Sequence, residues 1–118
     1  MTNHMSEVKQ IEEHIKDLKR LVAKKEQALK LAKNRDFKEL VLDGFCTTDA
    51  AKYVQQAGDP NLNTQEREDA LAIALSAGHF KRYMAVICQM GSNAESQLER
   101  AETELEDARQ EDGQGDFD

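Results

Sequence analysis

The sequence predicts an all-α protein, with two long helices forming a coiled-coil-like hairpin or an inter-subunit pair and three short helices between them. Three observations carry this expectation. Ala, Leu, Glu, Gln, Lys and Arg, the strong helix formers, dominate a chain of 118 residues that holds one Pro, six Gly and no Trp. Apolar residues recur at steps of three and four near both ends. Short runs in the middle open on residues that cap helices and close on Gly. By size the chain is expected to be a single helical domain over residues 1–112. Its parts are a long basic helix over 6–34, three short helices over 36–78 and a long acidic helix over 79–110, with residues 111–118 as a disordered acidic tail.

The first helix rests on Val8, Ile11, Ile15, Leu18, Val22, Leu29 and Ala32, an alternation of three and four broken only by Lys25. Leu21, Ala28 and Leu31 widen that stripe, and Ser6 is a candidate N-cap. In the middle, Asp36 and Glu39 stand at capping-box spacing, with Gly44 as the expected stop. The run "TTDAAKYVQQAG" starts at a Thr cap, is expected to bury Ala50, Ala51 and Val54, and stops at Gly58. "GDPNLN" reads as a turn. Asn63 and Glu66 then open a third short helix at capping-box spacing, with Ala70, Leu71, Ala74 and Leu75 inward and Gly78 as the stop. Phe37, Phe45, Tyr53, Leu71 and Leu75 are expected to meet in this middle region. The last helix starts near His79. Phe80, Tyr83, Ile87, Met90 and Ala94 continue the spacing, and Leu98, Ala101, Leu105 and Ala108 resume it after one extra four-residue step, a stutter.

Charge separates along the chain. Residues 1–35 carry +4, residues 36–88 carry −3 and residues 89–118 carry −8, which together give the net −7. In the last helix Glu95–Glu99, Glu102–Glu106 and Asp107–Glu111 are like-charge i,i+4 pairs, and the final acids sit at the negative end of the helix dipole. An isolated helix gains nothing from this arrangement. The nearest remedy is the basic first helix with Lys16, Lys19, Arg20, Lys24, Lys25, Lys30 and Lys33, paired within one chain or between chains.

Nothing in the sequence names a reaction, so no catalytic residue, cofactor or metal is expected. His4, His14, Cys46, His79 and Cys88 show no metal-ligand spacing. Residues 59–70 open like a calcium loop with Asp59, Asn61 and Asn63, but Thr64 stands at the required Gly and Ala70 at the required Glu. No Gly-rich phosphate loop is present. Cys46 and Cys88 read as small buried hydrophobes rather than a disulfide framework. "HFKRYM" offers aromatic and basic residues together, but Phe80 and Tyr83 fit the apolar stripe and the net charge disfavours direct nucleic-acid binding. The polar start predicts no secretory leader, and no apolar run reaches the roughly 20 residues of a membrane span.

The stretch "NRDFKELVLDGFCTTDAAKYVQQAGDPNLNTQEREDALAIALSAGHFKRYM" resembles small helical proteins of tailed bacteriophages that sit near virion genes. The resemblance covers residues 34–91 and brings no catalytic signature. It implies a virion component or assembly factor, acting in the cytoplasm of an infected bacterium or in the virion. With the residue-level reading, it leads to a non-enzymatic structural or assembly protein that forms homo-oligomers through helices. Ile11, Ile15, Leu18, Val22, Leu98 and Leu105 would carry association, and the acidic segment, with Glu102, Glu106 and Asp107, would meet a basic surface on another virion or host protein. The alternative is an acidic mimic of nucleic acid that occupies a host DNA- or RNA-binding protein.

Overall fold

The computed structural model describes residues 4–115, and the side chains of residues 6–111. Nearly all of the described residues are helical, and no strand occurs among them. In chain order the elements are α1 (His4–Lys33), a one-turn α2 (Arg35–Phe37), a π-helix (Lys38–Asp49), α3 (Ala50–Ala57) and α4 (Thr64–Gly115). The all-α expectation holds. The division of the second half does not: the third short helix and the acidic helix are one helix of 52 residues. Gly78 lies inside it rather than ending it, and residues 111–115 are helical instead of forming a loose tail. The rest of the expected tail, residues 116–118, lies outside the described residues.

The reason α4 runs through Gly78 is visible in its buried face. Ala70, Ile73, Ala77, Phe80, Met84, Ile87, Gly91, Ala94, Leu98, Ala101, Leu105 and Ala108 alternate at three and four without a break, and each is buried or half-buried. An exposed interior Gly costs about 1 kcal/mol relative to Ala, too little to end a helix whose apolar face continues on both sides. The expected stutter therefore disappears. Tyr83 and Met90 are exposed, and Met84 and Gly91 occupy the inward positions. Sequence reading followed the larger apolar residues where the helix buries smaller or unbranched ones.

The described residues fall into two compact units, one of residues 4–26 with 87–115 and the other of Gln27–Val86. In unit one, α1 and α4 run antiparallel: Glu12 meets Arg109 and Lys25 meets Glu95. Ile15, Leu18, Ala94 and Ala101 form the core between them, with Ile11, Leu21, Val22, Leu98 and Leu105 packed around it.

Unit two is built from shorter pieces. Asn34 caps α2 by accepting from the Phe37 N–H at 3.0 Å, so Asn34, rather than the expected Asp36–Glu39 box, starts the segment. Gly44 does not stop a helix. It lies in the π-helix, where a Cβ would come 2.9 Å from the carbonyl oxygen of Glu39, five residues back. The hydroxyls of Thr47 and Thr48 donate to the carbonyls of Leu42 and Asp43, again five back. These contacts follow the wider i→i−5 winding, and they use Thr47 and Thr48 inside the helix rather than as the expected cap. The turn before α4 forms as composition suggested. Gly58 N–H donates to Gln55 C=O, and Asn61 N–H to the Asp59 carboxylate. Asn63 and Glu66 form a reciprocal capping box at 2.8 and 3.3 Å. Arg67 Nε donates to Ala57 C=O at 3.0 Å and ties α4 to the end of α3.

Candidate functional site

In unit one, two antiparallel helices must approach closely, and residue size decides where. Ala94 and Ala101 on α4 are almost fully buried against the larger Ile and Leu residues of α1, and Ala108 further along α4 is buried too. The expected break in the α1 stripe, Lys25, is instead a working member of it. A Cβ placed on Gly91 would overlap Lys25 Cβ and lie 2.9 Å from its Cδ, so the lysine stem fills the space that Gly91 leaves. The ammonium emerges to meet Glu95 at 3.0 Å, with only 19% of the lysine side chain exposed. This is a side chain burying its methylenes while keeping its charge at the surface.

The six residues expected to carry association all belong to this core. Ile15 and Leu18 are buried, and Ile11, Val22, Leu98 and Leu105 pack against them. They cover one another within a single chain. The acidic residues Glu102, Glu106 and Asp107 are exposed, and Glu102 and Glu106 flank a shallow groove with Leu105 and Arg109. The attraction between basic and acidic helices is realised differently from the expectation. Lys25–Glu95 has the expected polarity, whereas Arg109–Glu12, at 3.1 Å, places the base on α4 and the acid on α1. Arg20 pairs within its own helix, with Asp17.

Unit two supplies the surface that sequence reading missed. Leu71 and Leu75, expected inside with Phe45 and Tyr53, are 48% and 54% exposed. Ala70 is buried and Ala74 half-buried as expected, and half-buried Ile73 and buried Ala77 complete the inward face. Phe37 finds Phe80 instead, with ring centroids 6.2 Å apart at 53°. Leu40 and Val54 are also exposed, Leu40 by 74%. Along the outer face of α4, Glu68, Leu71, Leu75, His79 and Arg82 follow one another at steps of three, four, four and three, and all are exposed. The signal was available: these steps sit about 160° around the helix from Ala70, Ile73 and Ala77. It was masked because Leu outranks Ala on any hydrophobicity reading.

A groove between α3, the turn and the start of α4 is lined by Tyr53, Asp59, Leu62, Glu66, Asp69 and Ile73, among others. Its three carboxylates are occupied locally, accepting from Asn61 N–H, Asn63 N–H and Gln65 Nε2. No group of three or more potential metal ligands gathers among the described residues. Cys46 is buried and Cys88 half-buried, both as free thiols. No helix of the described residues is long and apolar enough to cross a membrane. The chain matches no family model, no curated protein and no solved structure.

Proposed function

We propose that this is a non-enzymatic structural or assembly protein that works by helix-mediated self-association, of the bacteriophage virion or head-morphogenesis kind that its central stretch resembles. It would act in the cytoplasm of the infected bacterium or within the particle. One observation carries the reading. The long-helix seam is consumed inside the chain, yet Leu40, Val54, Leu71 and Leu75 remain between 48% and 74% exposed on unit two. Of these, Leu71 and Leu75 stand one turn apart on one face of α4, and a contiguous exposed apolar face is the kind of surface that meets another protein. The acidic half of α4 supplies the second contact. Glu99, Glu102, Glu104, Glu106 and Asp107 are exposed on a continuous helix, so they offer a basic partner an ordered array of carboxylates. The same ordered array favours the second reading, an acidic mimic of nucleic-acid phosphates.

Sedimentation equilibrium at low and high salt tests the first reading. A mass above that of one chain, growing with protein concentration, is the expected result. A single-chain mass at high micromolar concentration in both salts refutes self-association. Displacement of DNA from a host DNA-binding protein, without self-association, would favour the mimic.

A further inference from the structure

The exposed run on α4 within unit two has an internal symmetry. Counted from Leu75, Glu68 lies seven residues before and Arg82 seven after, while Leu71 lies four before and His79 four after. All five share one side of the helix and all are exposed. Glu68 and Arg82 enter no ion pair among the described residues. The charges at equal distance from the centre have opposite sign. An antiparallel copy of the same face, related by a two-fold axis at Leu75, therefore sets each carboxylate against a guanidinium. A parallel copy would set Glu68 against Glu68 and Arg82 against Arg82.

We propose that a second copy of this chain docks antiparallel on this face. Leu75 meets Leu75 of the second copy, Leu71 lies beside its His79, and Glu68 pairs with its Arg82 at both ends. This is the self-complementary pattern an isologous two-fold contact requires, in which each half of the patch recognises the other half. The proposal rests on the self-association reading above and assigns it a surface and a direction. From Glu68 to Arg82 the helix rises about 21 Å. A contact of that length buries a few hundred Å² per copy, below the roughly 800 Å² of a stable dimer. The association is accordingly weak, and two charge pairs at its ends make it weaker as salt rises.

The full chain carries the test, as Glu68→Arg and Arg82→Glu variants followed by sedimentation equilibrium. Each variant alone sets like charges together at both ends and should lower the association constant about tenfold. In the heterodimer that an equimolar mixture of the two can form, both ends carry one acid and one base. Mixing should therefore restore association to near the wild-type level. Residues 68 and 82 are too far apart along the helix to touch within one chain, so restoration on mixing has no intramolecular explanation. A second measurement does not depend on charge. Under air oxidation, Leu75→Cys should form a covalent dimer faster than Val54→Cys, which is equally exposed elsewhere in unit two. Wild-type association that is unchanged in both variants, or equal cross-linking at positions 54 and 75, overturns this surface and leaves the self-association reading standing. A wild-type chain that is monomeric at every concentration overturns both.

Discussion

Replacing Gly91 by Ala should destabilise the protein, against the ordinary preference of helices for Ala. The substitution by itself favours the helix by about 1 kcal/mol. The new methyl, however, overlaps Lys25 Cβ, an atom fixed to the α1 backbone, so the lysine cannot swing aside to admit it. Overpacking of this kind costs about 1–3 kcal/mol, and a clash with a backbone-fixed atom belongs near the upper end. The net expectation is a loss of about 1–2 kcal/mol. Gly78→Ala is the control on the same helix. Nothing lies within 4 Å of its added Cβ, so it should gain up to about 1 kcal/mol. The difference between the variants isolates the overpacking. Urea denaturation followed by circular dichroism reads it directly, and thermal melts should separate the two by roughly 5–15 °C. Lys25→Ala should not rescue Gly91→Ala, because the clashing Cβ remains. Lys25→Gly should. Equal stabilisation by Gly78→Ala and Gly91→Ala would show that α1 and α4 do not approach closely at this point, and the account of the seam would fall with it.

Asn63→Ala removes the side-chain acceptor of the Glu66 N–H and should cost about 1 kcal/mol at the start of α4, measurable by the same denaturation. Gly44→Ala drives a methyl against the Glu39 carbonyl and should destabilise unit two, seen as faster amide exchange over residues 38–49 at unchanged protection in unit one. Reversing one charge of the Glu12–Arg109 pair should cost about 0.2–1 kcal/mol, and reversing both should recover most of it; a double variant no more stable than either single one means the pair is not formed in solution. Deleting residues 95–118 removes Leu98, Ala101 and Leu105 from the core, so it should unfold unit one outright by near-complete loss of α1 amide protection rather than merely trim an acidic tail.

Local chemistry was read correctly around the start of α4, though not at the Asp36–Glu39 box, the Thr cap or Gly44. The Asn63–Glu66 box needs only two residues three apart, and the turn at residues 58–63 needs only Gly, Asp, Pro and Asn. The α1 stripe was legible from Val8 to Val22, where Ile, Leu and Val mark it, but Leu29 and Leu31, also expected in it, are exposed. The α4 stripe was read correctly at Phe80, Ile87, Ala94, Leu98, Ala101, Leu105 and Ala108, and misread at Tyr83 and Met90, where Met84 and Gly91 turn inward instead. Two Gly residues show the ambiguity. Gly58 ends α3, while Gly78 ends nothing, and only the continuity of the buried face on both sides distinguishes them. The π-helix was invisible because such winding is rare and no composition signature separates i→i−5 from i→i−4 bonding. Of the four residues expected inward at the start of α4, Ala70 and Ala74 are, while Leu71 and Leu75 are exposed, because a stripe one residue wider than the buried face was drawn to include the larger side chains.

The Lys25–Gly91 contact also bears on how two such helices know where to stop sliding. Ala94, Ala101 and Ala108 recur every seven residues. One helix displaced by a heptad would therefore present α1 with nearly the same small-residue surface, and hydrophobic contact alone would scarcely tell the two alignments apart. The lysine removes that degeneracy. A slide that brought Leu98 opposite Lys25 would crush its stem against a full side chain, even though Glu102 would then stand where Glu95 does. A charged residue that interrupts an apolar stripe thus acts as a key, and the single glycine facing it is the only slot that the key fits.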